Sequence, residues 1–527
     1  MERSAFWLLD HKFEFSFQLC TLELAAIRYA SLVKVYIGLQ EILWPGCYVM
    51  SWRERVCRVR VIFIGHRDMD AGWPHHLFDI DSEAKRLKGE LLELQKKIKN
   101  IEFYGWDLVT SEFDAERLLP ELEDADGLLT IPLTQEFADS NWTPHPPLIQ
   151  FADLNKPMIV YSKPFSTYWD MGSVLSRMGK VVVIDSNKIE DIIPALEAMR
   201  AATRMKSIRV LLVKDYEYPK EYVDPRFRDA RWTGPSYFKR IKEIFGIEFK
   251  RITSEELIKA YNNVQIKDAE KVATEVINKS KGLKEPSKDD VLKAARMYLA
   301  IKDLLNKYDC NAFTIDCLSY IRSKILPASP CLAISKLNDE GVPSACEADI
   351  EALITMILGH VIAERPVYMG DPVLDEEKNV VIIAHCTSAT KMLGYDGKQF
   401  PYLIRTHTES WRDVGLEVEM TPGEVTVLKL VGTYTVKALS YPFAPLNMKF
   451  DGYNLIAVKT NLLGSLKHEW GCRTKAVLKL VGDPEEFKRN FYCEHKIICY
   501  GDWIKQLKAL AQFLKIGFVN KLYLPID

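Results

Sequence analysis

The segment RVRVIFIG at residues 58–65, followed by SEAKRLKGELLELQKKIKN at 82–100, decides how the rest of the chain is read. The first is a β-branched apolar run of strand length, and the second places apolar residues at helical spacing. Short apolar runs recur at DGLLTIPLT (126–134), KPMIVYS (156–162) and KVVVIDS (180–186), separated by helical or loop stretches. Continuous runs of this length fit strands buried on both faces of a parallel sheet. IEDIIPALEAMRAATRMK then reads as a closing helix, so residues 51–203 form an N-terminal α/β domain.

Working outward, SIRVLLVKD at 207–215 opens a second strand–helix series across 204–365. It continues through a long charged helix pair at 255–307, a strand at CNAFTIDC (310–317), CLAISKLNDEG (331–341) and the helix EADIEALITMILGHVIA. Beyond it, in residues 366–527, the texture changes to close-spaced strands: NVVIIAHC, GLEVEMTPGEVTVLKLVGTYTVKALSY and TKAVLKLVG. The expected fold class is therefore α/β, two Rossmann-like parallel-sheet domains followed by a β-rich, antiparallel barrel-like C-terminal domain. GDWIKQLKALAQFLKIG reads as a last helix with Asp502 as N-cap and Gly517 past its end.

Residues 1–49 show no clear period, and charges interrupt every apolar run before a membrane span's length is reached. Met50 is read as the natural start, with 1–50 a non-native or disordered extension. Of 527 residues, 70 are Lys or Arg and 72 are Asp or Glu, a formal charge of -2 that gives no bulk attraction to nucleic acid or anionic membrane. Eleven cysteines without a CxxC pair argue against a secreted disulfide framework and for a cytoplasmic protein. Cys310 with Cys317, or Cys493 with Cys499, are the pairs that an intracellular disulfide would use.

P-loop, GxGxxG, HExxH and GxSxG signatures are absent, so chemistry must come from acids and histidines. Four contexts stand out: PSACEADIEALITMILG with Glu347, PVYMGDPVLD with Asp371, VVIIAHCTSA with His385 and YCEHKIICYGD with His495. Carboxylates with imidazole suit Mn²⁺ or another divalent metal ion better than a thiolate zinc site. Each residue also has a plain structural reading: first-turn acid for Glu347, Asp349 and Glu351, turn aspartate for Asp371, core histidine for His385 and His495. His407 and Glu409 meet on a strand face or lie in a solvated loop.

CEADIEALITMIL, the separation of Glu347 from Asp371, the HC dipeptide at 385–386, HKIICYGD, TPGEVTVLKLVG (421–432) and YDCNAFTIDC (308–317) together resemble the L-fucose isomerase and L-arabinose isomerase family. The likeness covers roughly residues 300–502. It implies a metal-dependent aldose–ketose isomerase working on a free sugar, L-fucose, D-arabinose or a relative, through a cis-enediol. By the same likeness Glu347 and Asp371 bind metal and move the proton, His495 completes the site, and His385 is a ligand or stands behind one. A homo-oligomer, trimer or hexamer, is also implied. The competing reading is a non-catalytic sugar-binding relative of the same fold.

Overall fold

In the computed structural model the described residues are 52–67, 73–135, 146–166, 169–215, 235–436, 448–491 and 494–520. The expectation for residues 1–50 lies outside them. The opening run is β1 (Cys57–Ile64), and the helix after it spans Ile80–Gln95. That helix starts two residues before the charged run because Asp79 caps it, accepting from the backbone N–H of Asp81 and Ser82. Its buried stripe is Ile80, Ala84, Leu87, Leu91 and Leu94, where each large side chain contributes roughly 1.5–3 kcal/mol by leaving water.

β2 (Ile101–Val109), β3 (Gly127–Pro132), β4 (Met158–Ser162) and β5 (Val181–Asp185) complete a parallel sheet in the order β2-β1-β3-β4-β5. β6 (Arg209–Val213), β7 (Glu248–Ile252), β8 (Ala312–Ile315) and β9 (Ser344–Ala345) form a second parallel sheet in the order β7-β6-β8-β9. Both sheets reverse direction of growth after their second strand. This is the doubly wound topology, in which functional groups gather beyond the carboxyl ends of the strands.

The third sheet contains β10 (Tyr368–Asp375), β11 (Val380–His385), β14 (Gly423–Val436), β15 (Met448–Ser465), β16 (Thr474–Lys479) and β17 (Lys496–Tyr500). Its order is β14-β17-β10-β11-β16-β15, and β14 also pairs with β15, so six antiparallel strands close into a barrel. β18 (Gly517–Val519) adds to β15 in parallel, and β12 (Tyr402–His407) with β13 (Arg412–Val418) forms a separate hairpin. The α/β class with a barrel-like β-rich region is what the strand texture predicts.

Several local expectations change. The charged region at 255–307 is three helices, Ser254–Asn263, Ile266–Lys279 and Lys288–Lys307, rather than two. The last helix, Ile504–Leu514, has Trp503 rather than Asp502 at its N-cap position and ends at left-handed Lys515, with Gly517 past its end. Asp502 still accepts from the Ile504 N–H at 3.2 Å. Cys310, Cys317 and Cys499 carry free thiols, and Cys493 lies outside the described residues. No helix among the described residues is long and apolar enough to cross a membrane.

The helix Ile350–Ala363 is buried along its whole length, packed against β14, β17 and the helix Ile193–Met205. A helix that is apolar all round belongs inside a protein. Its one imidazole, His360, lies 2.7 Å from the Tyr395 hydroxyl and 3.1 Å from Asn338 Oδ1. Burial, with Arg53 nearby, pushes its pKa down to about 3. Below pH ~6.5 the unfolded chain therefore takes up a proton that the folded chain refuses, and stability falls by about 1.4 kcal/mol per pH unit from this group as pH drops toward 3. Urea unfolding of the wild type should lose about 2 kcal/mol more than His360→Gln between pH 6.5 and 5. Parallel losses in the two proteins would contradict this.

Candidate metal centre

Glu347 follows β9, at the carboxyl end of the second parallel sheet, in the tight link to the helix Ile350–Ala363. Two consecutive non-glycine residues there, Glu347 (φ 62°) and Ala348 (φ 51°), occupy the left-handed region. Such strain costs about 1–2 kcal/mol per residue and persists where the surroundings dictate the conformation. Here the Ala348 N–H donates to the Ile315 carbonyl at 2.9 Å, and Asp349 caps the helix by accepting from the Ala352 N–H at 2.8 Å. The link throws the Glu347 side chain toward the barrel.

The barrel supplies the other three residues from adjacent strands. His385 ends β11, His495 immediately precedes β17, and Asp371 lies on β10 between those two strands, opposite Ala384. Gly370 makes this closeness possible: a Cβ at that position would stand 2.9 Å from the carbonyl carbon and oxygen of Ala384. Gly370→Ala should therefore cost about 1–3 kcal/mol by overpacking and spread β10 from β11. Denaturant midpoints measure the first effect and divalent-metal affinity the second; an unchanged protein would contradict the close approach.

Glu347, His385 and His495 form one group, and Asp371 stands beside it against His495. Glu347 Oε1 is 3.6 Å from His385 Nε2, Glu347 Oε2 is 3.7 Å from His495 Nε2, and Asp371 Oδ1 is 3.6 Å from the same nitrogen. One ligand atom each from Glu347, His385 and His495 lies within 4.8 Å of the others. The ring centroids of the two histidines are 5.4 Å apart. Asp371 stands at the rim, its side chain 49% exposed against 19% for Glu347.

Both imidazoles are aimed by their far nitrogens. His385 Nδ1 is 2.9 Å from the Thr387 hydroxyl, and His495 Nδ1 is 2.8 Å from Asp349 Oδ2. Burial alone would raise the Glu347 carboxyl, but the neighbouring imidazoles of His385 and His495 outweigh it and hold the group well below the usual carboxylate range. For His495 the balance has the same form. Burial opposes its charge, yet Asp349 and Glu347 push its pKa up to about 10.

A divalent cation fits these donors. His495 Nε2 is buried without a hydrogen-bond partner, and its neighbours at 3.6 and 3.7 Å are too far for one. Two donors about 2.1 Å from one ion can stand up to roughly 4 Å apart, so those separations suit a shared cation. The mixed carboxylate–imidazole set belongs to borderline-to-hard divalent ions.

Two residues beside the cluster escape a sequence reading. Asp349 looks like an ordinary first-turn acid, and Lys429 sits inside an apolar strand, yet Lys429 Nζ lies 3.5 Å from Asp349 Oδ2 with its side chain fully buried. The signal available for Asp349 is its place two residues after Glu347 at a helix start. Lys429 offers none. His407 is buried at the end of β12 with Nδ1 3.1 Å from the Ser410 hydroxyl, whereas Glu409 is exposed in the following turn, so the two do not share a strand.

No protein-family model matches the chain. Among curated proteins it is similar to sulfoquinovose isomerase of Priestia aryabhattai, 22% identical over 337 residues, which is 62% of this chain and 67% of that one. It is also similar to the sulfoquinovose isomerases of Clostridium sp. (strain MSTE9), 25% identical over 52% of this chain and 58% of the relative, and of Alkalicoccus urumqiensis, 23% identical over 53% and 60%. These relatives carry the name of sulfoquinovose rather than L-fucose or L-arabinose. By that kinship the chain is an enzyme of the isomerase class.

Proposed function

We propose that the chain interconverts an aldose and its ketose, using Glu347 and Asp371 to move a proton between adjacent sugar carbons. The observation that carries this reading is that both carboxylates flank one buried imidazole nitrogen, at 3.7 and 3.6 Å. A divalent ion, Mn²⁺ or another, held by Glu347, Asp371, His495 and His385, would supply Lewis acidity toward a carbonyl and its neighbouring hydroxyl.

The chain's own residues account for the rest. One carboxylate accepts the proton from the carbon next to the carbonyl, and the same or the opposite carboxyl returns it to the former carbonyl carbon, while the hydroxyl proton passes from the one oxygen to the other, by way of a cis-enediol. Asp371, at the rim, is the group open to an entering sugar; Glu347 is more deeply buried and held anionic. His385 and His495 face the two oxygens of Glu347 at 3.6 and 3.7 Å. The substrate class is a free aldose such as L-fucose, D-arabinose or a related sugar, with sulfoquinovose included because the relatives act on it by name.

The test is ketose formation from a panel containing L-fucose, D-arabinose, D-glucose and sulfoquinovose, with a divalent ion and again with chelator. Turnover of at least one aldose, abolished by chelator, is expected. If no sugar turns over in the presence of Mn²⁺, Mg²⁺ or Co²⁺, the isomerase reading falls and the sugar-binding reading takes its place.

A further inference from the structure

Three elements distant in sequence meet behind His495. Asp349 is the N-cap of the helix Ile350–Ala363, Lys429 lies on β14, and His495 precedes β17. The two oxygens of Asp349 have separate tasks: Oδ1 accepts from the Ala352 N–H at 2.8 Å, and Oδ2 meets His495 Nδ1 at 2.8 Å. Lys429 Nζ approaches Oδ2 at 3.5 Å from inside the core. Side-chain exposures of 12% for Asp349, 1% for His495 and none for Lys429 leave little room for water to replace any of these contacts.

We propose that Asp349 is the positioning residue of the metal centre, fixing His495 so that Nε2 faces Glu347 and Asp371, with Lys429 as the fixed counter-charge that keeps Asp349 on the imidazole. The inference rests on the metal-site reading above and adds how that site is aimed. A carboxylate at Nδ1 can only accept, so it dictates that Nδ1 carries hydrogen and that Nε2 is the nitrogen available to a ligand.

The role of Lys429 follows from charge. Without it, Asp349 would be an uncompensated buried charge behind the imidazole. With Lys429 beside it, the Asp349–Lys429 pair is neutral, and Glu347 and Asp371 remain the anionic donors. A divalent ion with those two carboxylates is itself neutral, an environment suited to an uncharged polyol segment of the substrate.

The experiment uses the full chain stripped of metal and titrated with Mn²⁺, comparing wild type, Asp349→Asn and Glu347→Gln. Asparagine is as good an N-cap as aspartate, so the helix start is preserved. Its amide, however, can turn an N–H toward His495 Nδ1 and favour the tautomer with hydrogen on Nε2. Mn²⁺ affinity of Asp349→Asn, corrected in each variant for the proton that the cation displaces from His495, should fall by about 10–100-fold, the range for a lost outer partner of a ligating histidine.

Because Asp349→Asn removes the negative charge beside buried Lys429, the double variant Asp349→Asn/Lys429→Met provides the folding control. It should regain thermal stability relative to the single variant while its Mn²⁺ affinity stays low. Recovery of affinity together with stability would show a purely structural role and overturn the proposal. So would wild-type affinity in Asp349→Asn when Glu347→Gln has lost it. If wild type and Glu347→Gln alike show no Mn²⁺ binding, the metal-site reading has failed and this proposal fails with it.

Discussion

Glu347→Gln should lower kcat by about 10³-fold or more, well above the loss from any change outside the cluster. General acid–base catalysis by a placed carboxyl contributes roughly 10²–10⁴-fold, and this residue is also a proposed metal donor. The amide keeps the size of the side chain and the left-handed backbone at φ 62°, so the fold around it has no steric reason to change. What changes is the chemistry: an amide cannot take a proton from carbon and is a poor ligand. Asp371→Asn should follow in the same direction. Since Asp371 is more exposed, its loss should disturb stability less, and the comparison of melting temperatures with kcat separates the two effects. Retention of full turnover by Glu347→Gln, with metal bound normally, would remove Glu347 from the mechanism.

How much of this was readable in the sequence depends on the kind of evidence each residue leaves there. Glu347, Asp371, His385 and His495 each end or interrupt an apolar run, the pattern of strand ends that present polar groups. They come together because the barrel places β11, β10 and β17 side by side and Gly370 allows close approach. The pairing itself was not legible, since strand order in a closed barrel depends on contacts between segments more than a hundred residues apart.

Asp349 and Lys429 were missed for opposite reasons. An acid in the first turn is so common at helix starts that a second task for its other oxygen leaves no mark. Lysine in TPGEVTVLKLVG would ordinarily point to solvent, but β14 is buried from Val425 through Val431 because the helix Ile350–Ala363 packs against the barrel there. Tertiary burial overrides the local signal. The third helix within 255–307 was missed for want of punctuation: the break between Asn263 and Ile266 carries neither glycine nor proline.

Binding of a divalent ion should become tighter with pH, with about one proton released per ion bound near neutrality. In the metal-free protein His495, with its pKa pushed up to about 10, carries a proton on the nitrogen that faces Glu347 and Asp371. A cation must displace that proton before it can use the nitrogen. Glu347, held ionised by the two imidazoles, contributes none. The apparent affinity should then rise by about tenfold per pH unit from pH 6.5 to 8.5, flattening only as the pH approaches that of His495 itself. Calorimetric titrations in buffers of different ionisation enthalpy count the proton directly. In His495→Gln the count should drop to near zero and the pH dependence should largely disappear, along with most of the affinity. A wild-type count of zero at pH 7 would mean that the cation does not take the place of the imidazole proton, and the ligand role of His495 would have to be abandoned.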